Sequence, residues 1–244
     1  HSCVSFFELT DRCNLTCPTC YAGSSPTYGR HRTLDEVKVM LDIVVESEGE
    51  PDIIQLSGGE PTIHPQFFDI LAYAKTLPIR HIMINTNGVR LADDEGFAEE
   101  LNEYMPGIEV YLQFDSFKEE VLIKLRGKDL VEKKQKALEK LEHFNIHSTL
   151  VTTLERGQNN DEIGAIIDFA LQYRCLRGVT FQPTQFAGRV EKFDPLKNKY
   201  TLTEVRQDIL NQTDIFNEND IIPVPCNPDA LAMAYALKLD GKTV

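Results

Sequence analysis

Between residues 4 and 182 short runs of β-branched and aromatic residues alternate with amphipathic stretches, and this alternation limits the fold more than any other feature. Strands are expected at residues 4–9, 52–56, 81–86, 109–114, 147–153 and 179–182. Between them, Thr33 and Glu36 form a capping box ahead of Leu34, Val37, Leu41 and Val44 at helical spacing. Pro65 suits the first turn of a second helix with Phe68, Leu71 and Ala72 on one face. Further helices are expected over 93–104, 118–124 and 130–144, and after the capping Asn160, where Ile163, Ile166, Ile167, Ala170 and Leu171 form an apolar stripe. A helix that returns the chain to the same edge of a sheet forces parallel pairing with a right-handed crossover. The expected fold is therefore α/β, a partial (β/α)6 TIM-like barrel of parallel strands with a short C-terminal extension.

In such folds ligands gather at the carboxyl ends of the strands. The unusual polar and glycine residues fall there: Cys13 to Cys20, Gly58 to Glu60, Asn85 to Gly88, Gln113 to Ser116, Thr152 with Thr153, and Gln182. Cys13, Cys17 and Cys20 place three thiols within eight residues. Three thiolates can hold an iron–sulfur cluster by three irons and leave the fourth open to a ligand that is not protein. A structural zinc site needs four closed ligands, usually in two separated pairs, and no second pair accompanies this triplet. A disulfide framework would leave one of the three thiols odd. Gly58 and Gly59 allow unusual dihedrals and close backbone approach.

The spacing Cys-x3-Cys-x2-Cys followed by Tyr21, with Gly58-Gly59-Glu60-Pro61 about forty residues on, resembles the radical S-adenosylmethionine (SAM) superfamily over roughly the first 190 residues. The resemblance implies that Cys13, Cys17 and Cys20 bind a 4Fe-4S cluster whose open iron is chelated by SAM. One-electron cleavage of the sulfonium then gives a radical that abstracts hydrogen from an unreactive C–H bond. It also implies that Tyr21 packs near adenine, that Gly58, Gly59, Glu60 and Pro61 meet the methionyl amino group, and that Gln113, Asp115 and Ser116 hold the ribose. Asn85 and Asn87 are candidates for the methionyl or ribose portion, although Asn87-Gly88 also reads as a turn, and Val179 and Phe181 have two equal readings, flanking the adenine or filling the core. Arg126 and Arg189 have two readings, an anchor for a carboxylate or phosphate and an ordinary surface arginine. The expected redox partner is an electron donor such as flavodoxin or ferredoxin.

At residue 191 the alternation stops, which divides the chain into a 1–190 core and a 191–244 extension; Thr201 and Glu204 cap one more helix there. The first residue is not methionine and the last four read as an unfinished strand, so a fragment of a longer protein is expected. Pro223 to Asp229 and Asp240 to Lys242 resemble the tetraether lipid synthase branch, which points to a lipid chain as substrate and to Cys226 as the first ligand of a further cluster. Two alternatives stand beside it: a small molecule or peptide substrate, as in the molybdopterin-precursor cyclase and peptide maturase branches, and a non-catalytic metal-binding scaffold. A net charge of -13 repels phosphate and argues against nucleic acid. Lys133, Lys134 and Lys136 with Glu132 and Glu139 read as a mixed solvated helix face. No apolar run reaches the ~20 residues of a membrane span, and reduced, metal-ligating thiols suit the cytoplasm.

Overall fold

A computed structural model describes residues 2–191, 194–225, 227–239 and 242–243. Strands β1 Ser5–Thr10, β2 Ile53–Gly58, β3 His81–Thr86, β4 Ile108–Gln113, β5 Ser148–Leu154 and β6 Leu176–Pro183 form one sheet in chain order. Every neighbouring pair is parallel. The connections carry α1 Leu34–Glu48, α2 Phe67–Thr76, α3 Val89–Asp93, α4 Phe97–Asn102, α5 Glu119–Arg126, α6 Val131–Phe144 and α7 Ile163–Ala170. Sequential order with one crossover hand places the helices on one face, so the sheet curls into a partial (β/α)6 barrel with an open concave side.

The period of two along each strand decides what fills each side. Phe7, Leu9, Ile54, Leu56, Ile82, Ile84, Val110, Leu112 and Leu150 alternate outward and pack with Val37, Leu41, Ile70, Phe97, Leu138 and Ile166 of the helices in a single core. Their neighbours in sequence face the concave side. These include Gln55, Ser57, Asn85, Glu109, Tyr111, Gln113, Thr149 and Thr153 beside the apolar Phe6, Met83 and Val151, so the lumen is mostly polar while the helical side is apolar. The Thr33 and Glu36 capping box forms as read.

Four local expectations change. The helix expected over 93–104 is shorter, Phe97–Asn102, and a separate helix, Val89–Asp93, precedes it, because the chain leaves helical geometry at Asp94. β6 starts at Leu176, before the expected 179, since Gly178 fits against the Thr149 side chain of β5 where a larger residue would crowd it. In α2 the buried residues are Phe67, Ile70, Leu71 and Ala74, and Ala72 is exposed. Lys134 belongs to no solvated face: it is 2% exposed.

After β6 come α8 Pro195–Asn198 and α9 Leu202–Gln212. The latter packs on α7 so closely that a Cβ on Gly164 would stand 2.3 Å from Gln212 O. Thr201 and Glu204 form its capping box. A two-residue hairpin, Ile222–Pro223 with Ala232–Met233, lies beyond. Cys226, Asp240 and Gly241 are outside the described residues. Among the described residues no helix is long and apolar enough to cross a membrane.

Candidate active site

The loop after β1 carries the cysteines to the carboxyl end of the sheet. Cys13 and Cys17 are buried and Cys20 is half-buried, in a small apolar nest with Leu15, Leu122, Leu130 and Val89. Burial pushes the Cys13 thiol up to about 12, helped by the nearby Glu60 carboxylate and the Cys17 and Cys20 thiols. Burial also raises Cys17, against the pull of the Arg126 guanidinium. Metal ligation removes such protons outright. Among the described residues no three His, Cys, Asp or Glu side chains are arranged to hold a single metal ion. Three thiols gathered in one nest suit a cluster held by three of its irons, with the fourth iron open.

The Gly-Gly-Glu-Pro turn holds that loop in place. A Cβ on Gly58, at φ 120, would stand 2.3 Å from Thr10 O, and one on Gly59 would stand 2.1 Å from Arg12 O. The close approach that demands glycine is thus to the chain's own cysteine-bearing strand end. Gly59 N–H donates to Thr10 O at 2.7 Å and Glu60 N–H to Arg12 O at 2.9 Å. Glu60 itself is 1% exposed. Its Oε1 accepts from Thr62 Oγ1 and Thr86 Oγ1, each at 2.7 Å, and its Oε2 accepts from Asn87 N–H at 2.7 Å. Burial raises its pKa, against these hydrogen bonds. With both oxygens engaged, the carboxylate ties the β2 turn to the β3 turn. Pro61 is buried at the start of the short turn that follows.

From the β3 end, Asn87 Nδ2 donates to Asn14 Oδ1 at 2.7 Å and reaches Cys13 Sγ at 3.9 Å. A row of polar side chains then crosses the upper lumen. Tyr21, 60% exposed, has its hydroxyl 3.4 Å from Ser57 Oγ. Asn85 Nδ2 donates to Ser57 Oγ at 3.4 Å, and Gln113 Nε2 donates to Asn85 Oδ1 at 2.8 Å. Arg126 ends the row, giving Nη2–H to Gln113 Oε1 and Thr153 Oγ1, each at 3.0 Å.

Arg126 is not a surface residue. It meets Asp115 in a fork, Nε to Oδ2 at 2.7 Å and Nη2 to Oδ1 at 2.5 Å. Lys134 Nζ lies 3.8 Å from Asp115 Oδ2 and donates to Gln113 O. Burial pushes the Asp115 carboxyl up, but the two cations hold it below the usual range. The same burial pulls Lys134 down to about 8. One carboxylate between two cations leaves a positive balance beside Cys17, which fits an anionic thiolate cluster.

Four residues expected at the ligand have other partners in this structure. Asp115 is 0% exposed and serves Arg126, so its oxygens are not open to a ribose. Ser116 is 2% exposed and donates to Glu162 Oε2. Phe181 and Val179 face the helices, against the apolar core, because Thr180 and Gln182 take the concave positions. Sequence reading put Lys134 on a solvated helix face and gave it no part in the site; only its place on the α6 stripe with Ala137, Leu138 and Leu141 pointed inward.

Lower in the lumen His81 Nε2 lies 2.9 Å from Glu109 Oε2, Thr149 donates to Glu109 Oε1, and the Tyr111 and Thr180 hydroxyls are 2.9 Å apart. Burial would raise the Glu109 carboxyl, but His81 and Thr149 bring it below its ordinary value.

Comparison with known proteins agrees with this architecture. The fold is similar to that of SuiB from Streptococcus suis bound to S-adenosylmethionine, with a TM-score of 0.69 at 17% identity over 86% of this chain and 47% of that one. In sequence the chain is 33% identical over 240 residues to 7,8-dihydro-6-hydroxymethylpterin dimethyltransferase of Methanocaldococcus jannaschii, covering 96% of this chain and 47% of the relative. It is 30% identical over 178 residues to GTP 3',8-cyclase of Chlorobaculum tepidum, covering 72% and 52% respectively. The chain thus spans about half the length of these relatives. Residues 7–170 match the sequence pattern of the radical SAM superfamily, and the chain belongs to that family of enzymes, which work with a 4Fe-4S cluster and SAM.

Proposed function

We propose that this chain is the SAM-cleaving core of an enzyme that abstracts hydrogen from an unactivated C–H bond of a polar, hydrogen-bonding small molecule, with reduced pterins as the first candidates. The observation that carries this reading is the concave face, where Glu109, Tyr111, Gln113, Asn85 and Thr149 present donors and acceptors to whatever lies in the barrel. A polar guest can exchange the bonds among these groups for its own, whereas a saturated chain that broke one would leave its groups unpaired, at a cost of ~1–3 kcal/mol each. The lipid reading rests on the tail alone and finds no support in this lumen. The relative matched along nearly the whole chain, tail included, is named for a pterin substrate.

Cys13, Cys17 and Cys20 would hold the cluster, and residues 191–244 would form an extension beside the 1–190 core. When bound, cluster and SAM supply one-electron cleavage of a sulfonium and a carbon radical able to take hydrogen. Ser57, Asn85 and Gln113 line the space between the cysteine loop and the deeper lumen, where they can orient polar groups of either ligand. Leu15, Leu122 and Leu130 exclude water from the thiols. The electron would come from a flavodoxin or ferredoxin in the cytoplasm.

The test is anaerobic reconstitution with iron and sulfide, reduction with dithionite, and quantification of 5'-deoxyadenosine by mass spectrometry. SAM cleavage is expected in the wild type, is expected to vanish in Cys17→Ala, and is expected to rise when a reduced pterin is added. Stimulation by a peptide or a lipid chain and not by a pterin would overturn the substrate class.

A further inference from the structure

The segment after β6 turns back over the cysteine loop, and Arg189–Val190 pairs antiparallel with Thr19–Cys20. From there the Arg189 guanidinium donates to three loop carbonyls: Nε to Cys17 O at 2.7 Å, Nη1 to Gly23 O at 3.2 Å and Nη2 to Ser24 O at 2.8 Å. Glu191 N–H adds a bond to Pro18 O at 3.1 Å. Gly188 lets the segment come this close: its φ is 67, and a Cβ there would stand 2.1 Å from Tyr21 O.

The loop needs such a hold. Between Cys13 and Ser25 the described backbone closes on itself through Cys13 N–H to Ser25 O at 3.2 Å and Gly23 N–H to Cys20 O at 3.1 Å. Fixing each residue of an irregular segment costs ~1–2 kcal/mol of backbone entropy. A planar guanidinium presents five donors in a rigid fork, so one side chain can fix three diverging carbonyls at once, which an ammonium on a flexible stem cannot. With its donors directed at Cys17, Gly23 and Ser24, Arg189 is not placed to anchor a substrate carboxylate or phosphate.

We infer that Arg189 is a positioning residue that holds Cys17 and Cys20 in cluster-binding shape from the far side of the barrel, through backbone alone. The inference rests on the cluster reading of the three cysteines, and it makes retention of the metal centre depend on a residue more than 160 positions away.

Two measurements test it on the full chain. In metal-free protein, hydrogen exchange in residues 13–25 should quicken in Arg189→Lys and Arg189→Met while the sheet stays protected; unchanged exchange in the loop would overturn the clamp. In reconstituted protein, iron loss to a chelator should be ~10-fold to ~100-fold faster in Arg189→Met, the range expected when a support of metal ligands is removed. Arg189→Lys should fall between it and the wild type, and the electron paramagnetic resonance signal of the reduced centre should shift in both variants. Arg174→Met, an exposed arginine paired with Glu142, should match the wild type. Wild-type iron retention and signal in Arg189→Met would also overturn the inference. Absence of iron from reconstituted wild type would sink the cluster reading instead, and the exchange result would still stand.

Discussion

Asp115 gains its meaning from partners that arrive from two helices. Arg126 closes α5 and Lys134 sits inside α6, and both converge on a carboxylate at the end of β4. Removing the one anion would leave two buried cations without compensation, at a cost of about 3–5 kcal/mol. Asp115→Asn is expected to lose stability on that scale in urea denaturation, and the Arg126→Met, Asp115→Asn double variant, which leaves Lys134 as the single cation, to recover part of it. Glu109 gives a second prediction, in pH. Its folded carboxyl lies below its ordinary value, so its contribution is complete above the unfolded value of about 4.3 and is lost as pH falls through the folded one. The melting temperatures of wild type and Glu109→Gln should therefore differ more at pH 7 than at pH 3.

At the scale of elements, the turn after β2 acts as a spacer for the cysteine loop. Gly59→Ala would drive a methyl group into the Arg12 carbonyl, and overpacking of this kind costs about 1–3 kcal/mol. The expected outcome is a lower urea midpoint together with slower iron uptake, read by absorbance during reconstitution. The strands, their parallel order and the cysteine triplet were legible because periodicity and short spacing are local properties. The role of Glu60 was not, since its carboxylate is claimed by Thr86 and Asn87, 26 and 27 residues away. Phe181 kept two readings for a related reason: alternation shows that a strand has two faces, and only its pairing with β5 and packing on α7 and α9 shows which one meets the helices. Lys134 looked solvated because its neighbours in sequence are, while its helical neighbours are core.

Over the whole molecule, one apolar core runs from β1 to α7, whereas the hairpin of Ile222–Pro223 with Ala232–Met233 leaves Ile222, Leu231 and Met233 exposed. Hydrogen exchange is expected to separate the two, with sheet amides released only by global unfolding and hairpin amides exchanging far sooner. Equal protection in the two regions would contradict this division.

The lumen has a consequence for selectivity. Asn85, Gln113, Tyr111 and Glu109 already have companions within the barrel, so a guest must replace each bond it breaks with one of its own. Entry is then close to an even exchange for a molecule whose donors and acceptors match the wall. For an analogue lacking one of them the exchange fails, and sites built on buried hydrogen bonds can reject such impostors by about 10⁴-fold or more.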